Sequence, residues 1–217
     1  MQRSVLITAD GSPTIYVREL DETYHSRYGS VQESLHVFIK EGLEKLRDKE
    51  SLSILEVGMG TGLNLLLTLL LQKDQFVRYD TLEPYPLTEE EWKVLEYSPD
   101  STRKAGDLFA KIHLAPWGEE FCLQENFLIK KIQSTLQEFV PDKKYDLVYF
   151  DAFSPDKQPE LWELEMFQKL YSCMNLGALL TTYSSKGQVR RNMQSAGFKV
   201  SRVRGPKGKL EMLVAVR

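Results

Sequence analysis

Residues 53–71, SILEVGMGTGLNLLLTLLL, read as a strand, a glycine turn and a helix. The first apolar residues end at Gly58, Gly60 and Gly62, and an apolar stretch then resumes. Glycine adopts positive φ without strain and lets a ligand approach the main chain, because it has no Cβ. The spacing is Gly-x-Gly-x-Gly, whereas a dinucleotide fingerprint needs its third glycine at the position of Leu63. The stretch therefore predicts a ligand-binding turn and disfavours NAD and FAD.

Two glutamates indicate which ligand the turn holds. Glu56 precedes the first glycine, where a carboxylate can meet the ammonium of an amino-acid ligand but would not help to bind a phosphate. Glu83 ends the next apolar run, at a distance from the turn where an acid accepts both hydroxyls of a ribose. A ligand with a free amino acid at one end and a ribose at the other is S-adenosylmethionine. The alternative is a structural strand, turn and helix with a solvated glutamate at each position.

Length and composition are those of one globular domain. The chain has 217 residues, of which 42% are hydrophobic and 27% charged. Its longest apolar run, 65–71, is interrupted by Thr68 and is too short to cross a bilayer. The start, MQRSVLITADGSP, lacks the apolar core and cleavage site of a secretory signal. We therefore expect a cytoplasmic protein without a membrane segment.

The cysteines and histidines do not predict a metal site. Cys122 and Cys173 stand alone in unlike contexts, which favours reduced thiols over a disulfide or a zinc site. The three histidines, His25, His36 and His113, are too scattered to suggest metal ligands.

Charge is distributed unevenly along the chain. Residues 186–217 hold nine Lys or Arg against Glu211 alone, a charge of +8, so the remainder carries −11 of the net −3. A basic end on an acidic body is a candidate surface for a phosphate backbone. A solvated face that keeps the protein soluble is the alternative, and charge alone does not decide between them.

The first thirty residues predict a small extension in front of a main domain, 31–217. The β-like runs 5–8 and 14–17, with a turn between them, predict a hairpin. The stretch 20–29 has no clear period and reads as a loop, whose ring-bearing residues are candidates for lining a pocket over the glycine turn: Tyr24, His25 and Tyr28.

The rest of the chain predicts alternating helices and strands. Helices are expected over 30–47, 88–97, 100–114, 132–140, 159–170 and 187–196, and strands over 76–82, 121–129, 145–150, 177–183, 199–203 and 210–216. This alternation predicts a parallel sheet, to which the last hairpin adds an antiparallel strand. The predicted fold is α/β: a Rossmann-like class I S-adenosylmethionine-dependent methyltransferase with a mostly parallel seven-stranded sheet. In such a sheet the carboxyl ends of the strands should bring the glycine turn, Glu83 and Asp151 together.

Asp151 is the candidate catalytic residue. It follows the β run YDLVYF directly, and Phe153 comes two residues later. Methyl transfer to nitrogen needs a neutral amine, and a carboxylate that accepts N–H bonds can aim its lone pair and receive the proton. The alternatives are a helix cap or turn former for Asp151 and a core position for Phe153.

These motifs lead to a family resemblance. Residues 150–162, FDAFSPDKQPELW, resemble the FDAFxPxKxPELW signature of the tRNA 5-aminomethyl-2-thiouridine methyltransferases, the MnmD family and the methyltransferase domain of bifunctional MnmC. Residues 56–64 are similar to the family's ELGxGTGLN, and 83–87 to its ExYPL. Further matches occur over residues 21–26, 184–198 and 208–213.

The resemblance implies N-methylation of 5-aminomethyl-2-thiouridine at the tRNA wobble position, with Asp151 as the active-site acid. It implies that S-adenosylmethionine is held by Glu56, Gly58, Gly60, Gly62, Leu63, Asn64, Glu83 and Pro84. The tRNA would be bound through its anticodon arm by Tyr24, Phe153, Pro155, Lys157, Lys186, Arg190 and Arg191. We expect no FAD domain in this chain.

One position departs from the family pattern. Where relatives have a Gly-Asp pair that would hold the adenine amino group, this chain has Lys130 and Lys131. Either backbone atoms hold the adenine, or Glu125 or Asn126 replaces the pair, or the true counterpart of the pair stands at neighbouring positions.

Two functions from other classes stay open. An aminopropyltransferase resembling spermidine synthase would share the fold but would not need the basic end. A non-catalytic RNA-binding module would keep the basic end without binding the cofactor.

Overall fold

The computed structural model describes residues 2–97 and 103–217, and its first unit is a small antiparallel sheet. The strands of this sheet are β1 Arg3–Ile7, β2 Pro13–Val17 and β3 Glu22–Thr23. The first two form the expected hairpin, with Val5 opposite Ile15. The sequence pattern misses β3 because a strand of two residues has no detectable period. The division of the chain at residue 30 stays a prediction.

The single helix expected over 30–47 is wrong. Three segments replace it: α1 Ser30–Ser34, a π-helical segment Leu35–Lys40 and a 3-10 turn Leu43–Leu46. The break falls at Gly42, where a Cβ would lie 2.4 Å from the carbonyl oxygen of Phe38 and 3.1 Å from the ring of Tyr149. The apolar face packs on the sheet as expected, since the rings of Phe38 and Tyr149 lie 5.1 Å apart.

The remaining strands form the central sheet. They are β4 Ser51–Val57, β5 Phe76–Leu82, β6 Glu120–Gln124, β7 Phe127–Ile132, β8 Tyr145–Phe150, β9 Met174–Thr182, β10 Lys199–Arg204 and β11 Glu211–Val216. Within the described residues their order is β10-β11-β9-β8-β4-β5-β7-β6. The five strands from β9 to β7 are parallel, and β11 is antiparallel to both of its neighbours. The mostly parallel Rossmann-like fold with an antiparallel C-terminal strand is therefore confirmed.

The sheet has eight strands instead of the expected seven, because residues 121–129 belong to two strands. β6 and β7 pair antiparallel and are joined at residues 125–126. The helix expected over 132–140 is also wrong, since β7 continues to Ile132 and turns follow. Its apparent period comes from Leu136 and Phe139, which are buried as anchors of this loop.

Helices flank the sheet close to their expected positions. They are α2 Leu63–Leu71, α3 Glu89–Lys93, α4 Arg103–Leu114, α5 Leu164–Cys173 and α6 Gly187–Ser195, with a 3-10 turn Pro159–Trp162 before α5. The expected capping box that opens α3 is confirmed by bonds in both directions between Thr88 and Glu91. The expected helix boundaries at Pro99 and Asp100 lie outside the described residues.

Strand β8 fixes the position of the residue that follows it. Leu147 and Tyr149 pack into the core on one face of the sheet, and Val148 and Phe150 pack into the core on the other. All four side chains are fully buried, and burial of each contributes about 1.5–3 kcal/mol. Asp151 is therefore delivered to the edge of the sheet by a strand anchored on both faces.

Candidate active site

The carboxyl ends of β4, β5 and β8 meet at a cavity of about 650 Å³. Four of the predicted site residues line it from these strand ends, and we call them the strand-end wall: Gly58, Gly60, Glu83 and Asp151. Three other predicted residues, Tyr24, Phe153 and Pro84, also line the cavity. The expected convergence of separate motifs at one edge of the sheet is thus observed.

The glycine turn has no room for side chains. Gly58, Gly60 and Gly62 have φ of 91°, 53° and 78°, a region that L side chains rarely adopt. A Cβ on Gly58 would lie 2.6 Å from the carbonyl oxygen of Asp151, and one on Gly60 would lie 2.6 Å from the ring of Tyr24. Gly58 therefore lets the Asp151 main chain pack close to the turn, and Gly60 does the same for the Tyr24 ring. Gly62 precedes α2 and lies outside the cavity.

Glu83 places a buried carboxylate beside the turn. Its Oε2 accepts the Gly60 N–H at 2.9 Å and its Oε1 accepts the Tyr85 N–H at 2.9 Å. Burial raises the pKa of this carboxyl, and the two backbone donors oppose the rise. Each oxygen keeps a second lone pair with which it can accept a hydrogen bond from a hydroxyl group of a ligand.

Glu56 is fully buried beneath the turn and does not line the cavity. Its Oε2 accepts a bond of 2.7 Å from the Thr81 hydroxyl, and its Oε1 has no hydrogen-bond partner among the described residues. Burial raises the pKa of Glu56 to about 8, with a further contribution from the charge of Asp151. The Asn64 and Tyr79 side chains lie close enough to lower the pKa of this carboxyl, although neither bonds its Oε1 with full hydrogen-bond geometry.

Asp151 faces the cavity at the end of β8. Its backbone N–H donates to the Val57 carbonyl at 2.9 Å, and its Oδ2 accepts a bond of 2.8 Å from the Asn64 side chain. Burial raises the pKa of Asp151 to about 7, and the charge of Glu33 adds to the rise. A carboxyl with a pKa near neutrality can accept and release a proton under ordinary conditions.

These features fit S-adenosylmethionine, the ligand predicted from the sequence. The glycine turn presents main chain to the cavity, and Asp151 and Tyr24 leave no room for a Cβ on Gly58 or Gly60. Glu83 supplies a carboxylate at the next strand end, and Glu56 supplies an unpartnered oxygen below the turn. When bound, S-adenosylmethionine supplies an electrophilic methyl group.

Comparison with known proteins agrees with this site. A family model described as S-adenosyl-L-methionine-dependent methyltransferase matches residues 118–217. The bifunctional protein MnmC of Hydrogenovibrio crunogenus, named for tRNA 5-methylaminomethyl-2-thiouridine biosynthesis, is 27% identical over 94% of this chain and 32% of its own length. The crystal structure of MnmC2 from Aquifex aeolicus has a TM-score of 0.84 at 29% identity, over 99% of this chain and 70% of that one. Over nearly its whole length the chain thus resembles the MnmC-type S-adenosylmethionine-dependent methyltransferases.

The family resemblance drawn from the motifs is thereby confirmed, and the family's description confirms S-adenosylmethionine as the cofactor. The chain spans about a third of the length of the curated relatives it matches. Spermidine synthase from Thermotoga maritima also has a similar structure, with a TM-score of 0.64 over 98% of this chain and 67% of that one. Its identity is 10%, so the likeness shows a shared fold alone.

The methyltransferase cavity has another wall that the sequence analysis does not predict. It consists of Glu33 on α1, Tyr183 after β9 and Lys209 before β11, and we call it the lysine wall. The Lys209 Nζ lies 3.0 Å from Glu33 Oε1 and 4.0 Å from the centroid of the Tyr183 ring. The match of residues 208–213 to the family ending contains Lys209 and was the one available signal for it.

Aromatic rings close the cavity from the N-terminal side. Tyr24 packs edge to face on Phe153, with 5.1 Å between ring centroids and an interplanar angle of 63°. The Ser154 hydroxyl donates to Glu22 at 2.9 Å and ties the loop after β8 to β3. The small N-terminal sheet therefore contributes directly to the methyltransferase site.

The lysines that depart from the family pattern do not reach the cavity. Lys130 and Lys131 lie inside β7, and the buried Lys131 ammonium donates to the His113 carbonyl at 2.7 Å. The suggested replacements, Glu125 and Asn126, lie at the amino end of β7, opposite the site. Residues 134–138 follow the carboxyl end of β7 and line the cavity. Lys130 and Lys131 therefore take no part in lining the cavity.

The predicted basic residues lie outside the cavity. Lys186 pairs with Asp156 at 2.5 Å, and Arg191 donates to Gln188 at 2.8 Å. Arg190 is on the same helix, α6. Four more predicted site residues also do not line the cavity: Leu63, Asn64, Pro155 and Lys157. Asn64 nevertheless holds Asp151.

Residues 2–97 and 103–217 contain neither a metal cluster nor a membrane-spanning helix. No group of three or more His, Cys, Asp or Glu in these ranges is placed to hold a metal ion. No helix there has the length and apolarity needed to cross a membrane.

Proposed function

We propose that this chain transfers a methyl group from S-adenosylmethionine to the exocyclic amine of 5-aminomethyl-2-thiouridine at the tRNA wobble position, giving 5-methylaminomethyl-2-thiouridine. The observation that carries the proposal is the carboxylate of Asp151, which faces the cavity beside the glycine turn. The names of the MnmC relatives supply the substrate class. The relatives are about three times as long as this chain, so the substrate is inferred by analogy.

The cofactor would be held by the residues at the ends of β4 and β5. Gly58 and Gly60 would contact its amino-acid end, and Leu63 and Asn64 would support the turn from behind. Glu56, with its pKa raised to about 8, would become the buried counter-charge when the ammonium of the cofactor favours loss of its proton. Glu83 would accept the ribose hydroxyls, and Pro84 would pack beside it. The support is the spare lone pairs of Glu83 and the unpartnered oxygen of Glu56.

Asp151 would orient the acceptor amine and receive its proton. Its Oδ2 is already held by Asn64, so its Oδ1 is the oxygen left to accept an N–H bond from the substrate. An amine fixed in this way keeps its lone pair aimed at the methyl carbon. With a pKa of about 7, Asp151 can take up the proton that the newly formed secondary ammonium releases as it becomes the neutral amine.

The substrate nucleoside would lie against the aromatic pair of Tyr24 and Phe153. Tyr24 and Phe153 both line the cavity and are already in contact, and rings of this kind stack on unpaired bases. Pro155 and Lys157 continue the same loop outward, toward the phosphate backbone. Splaying a wobble base from a loop is less costly than extracting one from a duplex.

The anticodon arm would rest on the face of α6. Lys186, Arg190 and Arg191 lie on or next to this helix, in the most basic part of the chain. Cations of this kind bind phosphates with little dependence on base sequence. We also propose that the protein acts in the cytoplasm, because its proposed tRNA substrate matures there.

The test uses bulk tRNA that carries the aminomethyl group but lacks the methyl group. The protein is incubated with labelled S-adenosylmethionine and this tRNA, and the digested nucleosides are separated. Label in 5-methylaminomethyl-2-thiouridine is the expected result. Label transfer to other nucleosides only, or none at all, would contradict the proposal.

Two additional arms separate the other functions. Calorimetric titration with S-adenosylmethionine should give saturable binding, and its absence together with retained tRNA affinity would indicate a non-catalytic RNA-binding module. Incubation with decarboxylated S-adenosylmethionine and putrescine should yield no spermidine. Formation of spermidine would indicate an aminopropyltransferase.

A further inference from the structure

The acceptor amine poses an electrostatic problem that Asp151 does not solve. A primary alkylamine is mostly protonated at neutral pH, and a protonated amine has no lone pair to attack a methyl group. A neighbouring carboxylate favours the ammonium form and raises the amine's pKa further. The cavity contains several such carboxylates, since Glu22, Glu33 and Glu83 line it with Asp151. On these groups alone the site would hold its substrate in the unreactive form.

Titratable groups on five surrounding elements interact electrostatically with Asp151. Carboxylates come from α1 and β4, phenols from β5 and the end of β9, and one ammonium from the loop before β11. These groups are Glu33, Glu56, Tyr79, Tyr183 and Lys209, in that order. Lys209 is thus the cation that acts on Asp151 against the carboxylates.

Lys209 is held at both ends. Its ammonium lies 3.0 Å from Glu33 and 4.0 Å from the centroid of the Tyr183 ring. Its backbone N–H donates to the Pro206 carbonyl at 2.9 Å. The preceding Gly208 has a φ of 89°, and a Cβ there would lie 2.4 Å from the Tyr28 ring. This loop geometry and the acidic and aromatic partners together keep the ammonium at the cavity.

We propose that the Lys209 ammonium, positioned by Glu33 and Tyr183, offsets part of the negative charge around Asp151 and so favours binding of the acceptor amine without its extra proton. The inference rests on the proposed function. A cation near an amine destabilises the ammonium form and lowers the amine's pKa. Lys209 is a positioning residue, because it acts through this field and needs no contact with the reacting atoms.

The same field acts on the proton acceptor. Lys209 lowers the pKa of Asp151, whereas Glu33 raises it. Loss of Lys209 should therefore protonate both the amine and Asp151 at pH values where the native site keeps them unprotonated. Loss of Glu33 should have the opposite effect, and this opposition of sign distinguishes an electrostatic role from a structural one.

The first arm of the test needs neither the cofactor nor tRNA. The Asp151 carboxyl is titrated by carbon-13 NMR in the wild-type protein and in the variants Lys209→Met, Lys209→Arg and Glu33→Gln. The expected result is a higher pKa of Asp151 in K209M, a lower one in E33Q and a wild-type value in K209R. The matched control is Lys207→Met in the same loop, where the titration of Asp151 should stay unchanged.

The second arm is the pH profile of methyl transfer under saturating cofactor. In K209M the profile should move to higher pH, so that the ratio of the rates at pH 9 and pH 7 rises by a factor of about three or more. In E33Q the profile should move to lower pH. K209R should restore the wild-type profile, because it keeps the charge.

Three results would overturn the inference. The first is an unchanged Asp151 titration and pH profile in K209M with weaker tRNA binding, which would make Lys209 a phosphate contact. The second is a shift in the same direction in K209M and E33Q, which would indicate general disruption. The third is a shift equally large in K207M. If K209M does not fold, the sign of the E33Q shift decides, and a shift to higher pH or none would contradict the inference.

Failure of the proposed function gives a different pattern. A wild-type protein that methylates no tRNA would remove the second arm but leave the titration of Asp151 intact. The effect of Lys209 on that titration would still be decided by the first arm.

Discussion

The two walls of the cavity are built in different ways. The strand-end wall takes Gly58, Gly60, Glu83 and Asp151 from the carboxyl ends of adjacent parallel strands, so a local motif and one rule of sheet topology are enough to assemble it. The lysine wall takes its members from α1, the end of β9 and the last hairpin, and no local motif joins them. We expect the strand-end wall to carry binding and proton transfer and the lysine wall to tune them. Substitutions in the two walls should therefore differ in size and in kind.

The largest effect is expected from Asp151→Asn. The asparagine side chain has the same shape as aspartate and can still form a hydrogen bond with Asn64. Its amide cannot receive a proton, so kcat should fall by about 10²–10⁴-fold. Affinity for S-adenosylmethionine should change little, which calorimetry checks. A variant with wild-type kcat would show that Asp151 only forms a turn. The strand-end wall would then not carry proton transfer, and the proposed difference between the two walls would be wrong.

Gly58→Ala should have the next largest effect. The added Cβ would lie 2.6 Å from the Asp151 carbonyl oxygen, and the φ of 91° is strained for alanine. We expect cofactor affinity to fall at least about tenfold, with destabilisation of roughly 1–3 kcal/mol. Gly106→Ala is the matched control, because Gly106 lies on α4 with nothing within 4 Å of its Cβ position. Equal losses in both variants would mean that the turn is not a special site.

Charge reversal on α6 tests a surface that belongs to neither wall. Arg190→Glu with Arg191→Glu should weaken tRNA binding about tenfold and reduce the slope of log Kd against log salt by about one to two. Cofactor affinity should not change. The matched control reverses Lys45 and Arg47, an exposed basic pair before the amino end of β4. A similar loss in the control would assign the effect to net charge.

The smallest effect on methyl transfer is expected at Lys131, which lies apart from both walls and should affect stability alone. Burial lowers the pKa of Lys131 to about 8, whereas an unfolded lysine titrates near about 10.4. Between these values the unfolded state binds a proton that the folded state does not, so the folded state gains stability as pH rises from about 8 to about 10.4. Lys131→Met should lack this gain, which urea unfolding at pH 7.5, 9 and 10 would measure. If the stabilities of the wild-type protein and of Lys131→Met changed with pH in parallel, this prediction would be contradicted.

The contrast between the walls also explains how far the sequence could be read. Local signals were sufficient for β4, β8 and the capping box at Thr88, because each is a pattern of neighbouring residues. These local signals failed where contacts with distant residues decide the local structure. Leu136 and Phe139 have helical spacing but anchor a loop, and Gly42 breaks a helix because a ring of the sheet lies against it.

The site was predictable to the same extent. Asp151 and Glu83 follow apolar strands, and their convergence is a consequence of parallel pairing. Glu33 and Lys209 are 176 positions apart, and only the folded chain brings their charges to 3.0 Å. Glu56 was predicted from its place before the glycine turn, but only the structure shows it buried below the cavity with an unpartnered oxygen.

A crystal structure of this chain with S-adenosylmethionine bound would test the central claim most directly. The measured quantity is the separation between the sulfonium methyl carbon and the nearer carboxylate oxygen of Asp151. We predict roughly 5–7 Å, which leaves room for an amine that contacts both groups. A methyl group directed away from Asp151, or an Asp151 side chain turned out of the cavity when the cofactor is bound, would contradict the account.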